Sequence, residues 1–499
     1  MIFIILCVII RHITEKSRSF TMEALKKVRF GKKTTMDMTQ GSITKNILLF
    51  ALPLLVGNLF QQLYNLVDTW VIGQTGNDEA FAAVGSVGPI INILIGFFLG
   101  FSSGAGVIIS QYFGAKDDKS ASKTVHTGMA LTLVMAVLFT VLGVVGTPVI
   151  LKMMLGAEAS VGEGTVFHEA KTYLTIYFSG VISLMIYNMG AGYLRAIGDS
   201  QRPFYFLIAA AITNTVLDLL FVFVLEMGVA GVALATVIAQ TLSAILTLLA
   251  LFRSDTCVKL RIKQIRFHKD HLFKIIKVGF PAAIQMAITS FSNVFVQSYI
   301  SKANVPGLAL SAKEMQTVAL ASWTAYSKID QFIFLPIQSI GLAVTTFVGQ
   351  NLGINDTKRA KKGTYLGLLM AAISAVIIII PIIIFAPFWS SIFSDTPEVV
   401  KNSAILLRFI SPFYVCCCVN QVIAAALRGA GNTTAPMVIM LAAFVGFRQV
   451  SLFVTSNFIS NNLLPIGMSY PLGWLACATT LLIYFSRFNM SKTRIISGQ

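Results

Sequence analysis

Charged side chains are scarce in this 499-residue sequence. They make up 12%, about half of the roughly 25% carried by soluble globular domains. Acids are scarcest, 21 against 38 Lys and Arg, and only five His are present. The His show no H-E-x-x-H spacing for zinc, and no glycine-rich phosphate loop appears, which removes direct ATP drive. Six Cys (Cys7, Cys257, Cys416, Cys417, Cys418, Cys477) form no paired spacing. Three consecutive Cys on a helix point in three directions, so Cys416 to Cys418 read as small apolar packing residues rather than metal ligands. So little charge excludes a soluble enzyme, and the composition is the reverse of the polar bias of disorder.

What is present is apolar. Hydrophobic residues reach 56% and the mean hydropathy is +0.77. Stretches of about 20 apolar residues are long enough to cross a bilayer, and twelve are expected: 47–74, 81–113, 124–150, 168–194, 203–225, 229–252, 272–300, 316–351, 364–389, 402–427, 436–459 and 464–486. The first ten residues are too short to span, and their basic residues follow rather than precede them, the wrong order for a signal peptide. A start at Met22 or Met36 would remove that segment.

The net charge of +17 does not point to nucleic acid, because no basic stretch is interleaved with aromatics. Thirty of the 38 basic residues fall in the two tails and alternate loops on one side, and five in the opposite loops. Lys328, Arg408 and Arg448 lie within spans. The positive-inside bias of membrane proteins then puts both termini in the cytoplasm.

The loop at 253–271 divides the spans into two sets of six, 47–252 and 272–486, between tails at 1–46 and 487–499. The sets resemble each other. L-R-A-I-G-D-S-Q-R-P (194–203) returns as L-R-G-A-G-N-T-T-A-P (427–436), and S-Q-Y-F-G-A-K-D-D-K (110–119) as G-Q-N-L-G-I-N-D-T-K (349–358). Pro53 matches Pro281, and Asn65 matches Asn293. Six is even, so both halves enter from the same side. The expected architecture is all-α and polytopic, two six-helix bundles related by a pseudo-two-fold axis along the membrane normal. Carriers use such repeats for alternating access around a central cleft.

A carboxylate inside hydrocarbon is costly and marks function. Three acids fall inside spans: Asp68 in span one, Asp218 in span five and Asp330 in span eight. From a rise of about 1.5 Å per residue, Asp68 and Asp218 should sit at one depth, roughly 10–12 Å below the outer surface. Thr236 of span six lies at the same level. Gln61 precedes Asp68 by seven residues and Asn214 precedes Asp218 by four, so each shares a helix face with its acid. Two such carboxylates cannot both stay ionised cheaply. They suit a transported proton, or equally a Na⁺ held by Asp68, Asp218, Asn214 and Thr236 oxygens. The residues do not separate the two.

Asn58, Asn65 and Asn188 taken singly read as hydrogen-bonding glue between helices. Tyr173 near the outer end of span four suits either an interfacial aromatic or a pocket residue. In the second half Asn293 persists, but Val296 stands where Asp68 would repeat and span eleven lacks an acid, so coupling should be asymmetric. Lys328 and Asp330 are expected to neutralise each other, or else to meet substrate.

The sequence resembles the multidrug and toxic compound extrusion (MATE) transporters across residues 40–490. The resemblance lies in A-L-P-L-L-V-G-N-L-F-Q-Q-L-Y-N-L-V-D-T (51–69), G-Q-N-L-G (349–353), the two L-R-x-x-G segments, N-T-V-L-D (214–218) and G-V-A-G-V-A-L-A-T (228–236). It implies a membrane antiporter without prosthetic cofactor, exporting cationic or hydrophobic compounds against entering H⁺ or Na⁺. The family's first-span Gln and Asp fall on Gln61 and Asp68, its N-x-x-x-D on Asn214 and Asp218, and its sixth-span Thr on Thr236. Tyr173 and Asn188 match fourth-span polar positions. Some branches carry acids in spans seven and ten instead. Here the span-seven position is about Thr289 and span ten has none, so coupling in the first bundle is favoured.

The expected setting is a bacterial plasma membrane, the protein a monomer with lipid and small molecules as partners and no nucleic acid. A lipid-linked sugar flippase of similar architecture is the rival reading, and its cleft would need five or six basic residues for pyrophosphate. A membrane transferase is a more remote one. It would need a metal-binding acid pair, and Asp117 and Asp118 in a K-D-D-K loop read as solvated.

Overall fold

The computed structural model describes residues 35–155, 165–305, 311–493, 495 and 496. Met22, Cys7 and the first ten residues lie outside them. The described residues contain eleven helices long and apolar enough to cross a membrane, and a bent pair that completes twelve.

Spans one to three are Ile43–Gly73, Asp78–Gly114 and Asp118–Leu155. Span four is the bent pair, Val166–Ser179 and Val181–Ala196, turning by 48° at Gly180. Spans five and six are Gln201–Val224 and Gly228–Phe252. Spans seven to nine are Lys269–Ile300, Ala312–Gly353 and Thr357–Ile384. Spans ten to twelve are Pro397–Gly429, Thr434–Ile459 and Leu463–Arg487. Every expected span is present, and most helices begin a few residues before their apolar stretch, several of them under a capping side chain. Asn77 Oδ1 accepts from Ala80 N (2.9 Å) at the start of span two, Asp356 Oδ1 accepts from Arg359 N (2.8 Å) at span nine, and Ser311 and Glu314 form a reciprocal capping box at span eight.

The outer surface is as apolar as the core. Val141, Val145, Ile377 and Phe458 are all more than half exposed, as residues facing acyl chains must be. An α-helix bonds its backbone groups internally, the condition for crossing hydrocarbon.

Both described ends of the chain lie at one end of the molecule, and there the halves close against each other. A Cβ at Gly114 would overlap the Gln350 carbonyl oxygen, one at Gly353 that of Gln111, and one at Gly104 the backbone of Gly279. Glycine is required for such backbone approach. Span one is shared: Ile47, Phe50, Ala51 and Leu54 belong to the second half's core, whereas Val71 and Ile72 pack in the first. The basic segment at 253–271 is not a free tether. Val258 and Leu260 are buried in the first half's core, and Arg261 N donates to His126 Nε2 (3.0 Å).

Candidate functional site

With the halves closed at the end carrying the termini, a cleft of about 570 Å³ lies between them. The first half supplies most of its wall. The second half contributes mainly one face of span eight, where Lys328, Gln331, Leu335, Gln338, Leu342 and Thr345 recur every three or four residues.

Asp68 stands on this wall and Asp218 directly behind it. Asp68 is 9% exposed, whereas Asp218 is fully buried and does not line the cleft. Their carboxyl groups lie within hydrogen-bonding reach of each other. Neither Asp218 oxygen nor Asp68 Oδ1 finds a donor, and Asn214, also buried, leaves both side-chain atoms unpaired. Two acids in contact without donors need a proton or a cation between them. The free oxygens of Asp68, Asp218 and Asn214 form a donor set that a hard cation such as Na⁺ accepts, and a single shared proton fits equally.

The remaining expected residues lie along the same cleft. Gln61 lines the cleft and its Nε2 donates to Tyr64 Oη (3.4 Å). Thr236 lines the cleft, donates to Val232 O (3.0 Å) and has the Tyr173 hydroxyl beside it. Tyr173 is a buried pocket residue, stacked on Tyr177 at 6.3 Å between centroids, rather than an interfacial aromatic. Asn188 lines the cleft while its Nδ2 donates to Leu184 O (2.9 Å), and Asn58 and Asn65 face the same space. Span five departs from α geometry just after Asp218, with a π-turn at Leu220–Val224, a distortion common at functional positions.

Lys328 and Asp330 do not neutralise each other. Two residues apart on a helix they point to different faces: Lys328 lines the cleft, whereas Asp330 is turned away and accepts from Tyr326 Oη (3.3 Å). In the second bundle, the place of an acid pair is taken by a fixed cation. Arg448, buried, donates through Nη2 to Ser292 Oγ (2.8 Å) and to Asn293 Oδ1 (3.0 Å), the repeat of Asn65. Its guanidinium lies 4.6 Å from the Tyr470 ring centroid.

Three contributors were not singled out from sequence. Tyr64 precedes Asp68 by four residues on the same face, so spacing offered the signal. Arg195 and Arg428 also line the cleft, although a count of basic residues assigns both to loops. Each sits on the last turn of its span, and its inward direction comes from the crossing of the two halves.

The MatE family model matches this chain twice, at residues 53–220 and 281–454, once in each half. The chain belongs to the MATE family of multidrug efflux transporters. It is 28% identical over 475 residues to the probable multidrug resistance protein YoeA of Bacillus subtilis, covering 92% of this chain and 97% of that one. It is 24% identical over 462 residues to the probable multidrug resistance protein NorM of Thermotoga maritima, covering 92% and 95%. Among solved structures, a MOP superfamily transporter from Pyrococcus furiosus superposes with a TM-score of 0.83 at 22% identity, covering 93% of this chain and 99% of that one. This MATE protein is thus a multi-pass membrane transporter of small molecules and not an enzyme, in a family that needs no prosthetic group.

Proposed function

We propose that this MATE transporter is a secondary active antiporter that exports cationic or hydrophobic organic compounds in exchange for H⁺ or Na⁺. One observation carries the reading: Asp68 and Asp218 meet without donors, and only Asp68 opens to the cleft. Any proton or cation reaching the pair passes through the space a solute would fill. The ion stabilises the arrangement in which the two acids touch; a solute in the cleft competes with that arrangement. One charge moved through 100 mV supplies about 2.3 kcal/mol, so one or two ions drive a useful gradient.

The basic end faces the cytoplasm of a bacterial plasma membrane on the positive-inside rule, and the cleft therefore opens outward. The monomer suffices, because both walls belong to one chain. The test is a proteoliposome assay imposing ΔpH or ΔNa⁺ separately while following ethidium. Dependence on one gradient names the ion; export driven by neither overturns the antiporter. The flippase reading is favoured by the cleft cations Arg195, Lys328 and Arg428, but these are fewer than a pyrophosphate carrier would use, and Arg408 and Arg448 do not line the cleft.

A further inference from the structure

The cleft carries two poles of opposite charge, and the acid pair accounts for only one. Its charged lining residues are Asp68 against Arg195, Lys328 and Arg428. Arg195 and Arg428 are counterparts in the internal repeat, the second residues of L-R-A-I-G and L-R-G-A-G. Each ends a fourth span, one per half. Gln111 Nε2 donates to Gly429 O (3.0 Å), and Gln350 Nε2 to Ala196 O (3.0 Å). Each arginine therefore sits one residue before a carbonyl gripped from the opposite half, which places both at the closed floor of the cleft.

Neither guanidinium meets a carboxylate among the described residues. Arg195 has the neutral Tyr187 beside it, and Arg428, 7% exposed, has no acid beside it among the described residues. Arg408 and Asp199 show how the chain treats other charges: Arg408 reaches Ile383 O and Asp199 pairs with Arg202. A desolvated guanidinium without an acid is incomplete, and its planar fork of donors matches carboxylate and phosphate oxygens. Two of them at the floor of one cavity, with Lys328 on the wall above, form a receptor for an anion.

We propose that Arg195 and Arg428 form an anion subsite at the floor of the cleft, which holds a carboxylate or phosphate group of the transported solute. The solutes then include amphiphiles bearing an anionic group, zwitterions among them, with their apolar part along Leu335, Phe332 and Leu342. This rests on the cleft being the solute site, as in the antiporter reading.

The test uses the full-length protein in nanodiscs and three probes with one apolar body: 2-naphthyl phosphate, 2-naphthoate and a naphthylmethyl trimethylammonium salt, measured by equilibrium dialysis. Both anions are expected to bind about tenfold tighter than the ammonium probe, as charge-assisted bonds to a guanidinium imply. R195Q and R428Q should each reduce anion affinity about tenfold without weakening the ammonium probe, and R428K should recover part of it. Repeating the measurement with anionic lipid in the disc separates two sources of the same chemistry: competition assigns the subsite to a lipid headgroup, and no competition to a free solute. An ammonium probe that binds as tightly as the anions overturns the proposal. So does anion affinity within twofold of wild type in folded, monodisperse R195Q and R428Q, or no binding by any probe. Gradient-driven ethidium export in the same preparations reads the antiporter separately, so each can fail without the other.

Discussion

Gln111 and Gln350 occupy equivalent places in the internal repeat and make the same two contacts in opposite directions. Each amide nitrogen donates across to the other half, at Gly429 O and Ala196 O. Each amide oxygen accepts from a terminal segment: Gln350 Oε1 from Met38 N (2.9 Å) and Gln111 Oε1 from Ile495 N (3.0 Å). The N-terminal strap is held further by Asn351 Nδ2 and Arg359, which bond the carbonyls of Met38, Gln40 and Gly41. Both chain ends are thereby fastened to the seam along which the halves must part.

If transport requires that seam to open, fixing it stops the cycle. A Cβ at Gly349 would overlap Ser110 Oγ of the opposite half and come within 3.1 Å of its Cβ, closer than the roughly 3.5–4.5 Å of a disulfide, so S110C/G349C in an otherwise cysteine-free chain should cross-link once the two helices give by a few tenths of an ångström. Oxidation is expected to abolish efflux, and reduction to restore it. Full efflux by a quantitatively oxidised sample, checked by mass shift after thiol labelling, would show that this end stays shut throughout.

The acid pair makes a sharper demand. D68N and D218N should each insert normally and lose gradient-driven ethidium efflux by at least about tenfold, since an amide neither binds nor releases the proton and holds a cation poorly. Because Asp218 reaches the cleft only through Asp68, D68N should also block access to it, and the double variant should be no worse than D68N alone. Vesicle uptake and membrane content, measured together, check this. Additive losses would mean that the two acids act at separate sites.

The twelve spans, the internal repeat and the level of Asp68 and Asp218 are all legible in the sequence, because each depends on spacing along one helix or on hydropathy. Contacts between helices set the rest. Tyr173 was equally consistent with membrane interface and pocket until its stacking on Tyr177 placed it inside. Lys328 and Asp330 look like a pair when only their separation in sequence is considered, and helix rotation separates them. Arg195 and Arg428 sit at span ends, where a hydropathy pattern sees a loop; only the inward crossing of spans two and eight turns those ends into a cavity floor.

Arg448 gives the second half a permanent cation, whereas the first half carries the acid pair. Its bonds to Ser292 and Asn293 and its stacking on Tyr470 hold spans seven, eleven and twelve together. R448Q should cost about 1.5–3 kcal/mol, the range for hydrogen bonds to a charged group, and lower the unfolding temperature of the purified protein. Coupling should persist and remain sensitive to D68N. Loss of coupling at an unchanged unfolding temperature would move the ion site into the second half.

Lys328 and Asp330 should behave as residues of different kinds. Lys328 faces the cleft, and K328Q is expected to change apparent KM for charged solutes several-fold while leaving thermal stability near wild type, because the ammonium pairs with no acid among the described residues. Asp330 is turned toward Tyr326 in the second half's core. D330N keeps an acceptor for the Tyr326 hydroxyl and should leave KM for every solute unchanged, whereas D330A removes that acceptor and should lower the unfolding temperature, with a cost of about 1–3 kcal/mol for stranding a buried donor. Measuring efflux kinetics and unfolding temperature on all three variants separates the roles. A KM shift in D330N matching that of K328Q would restore the two as a working pair.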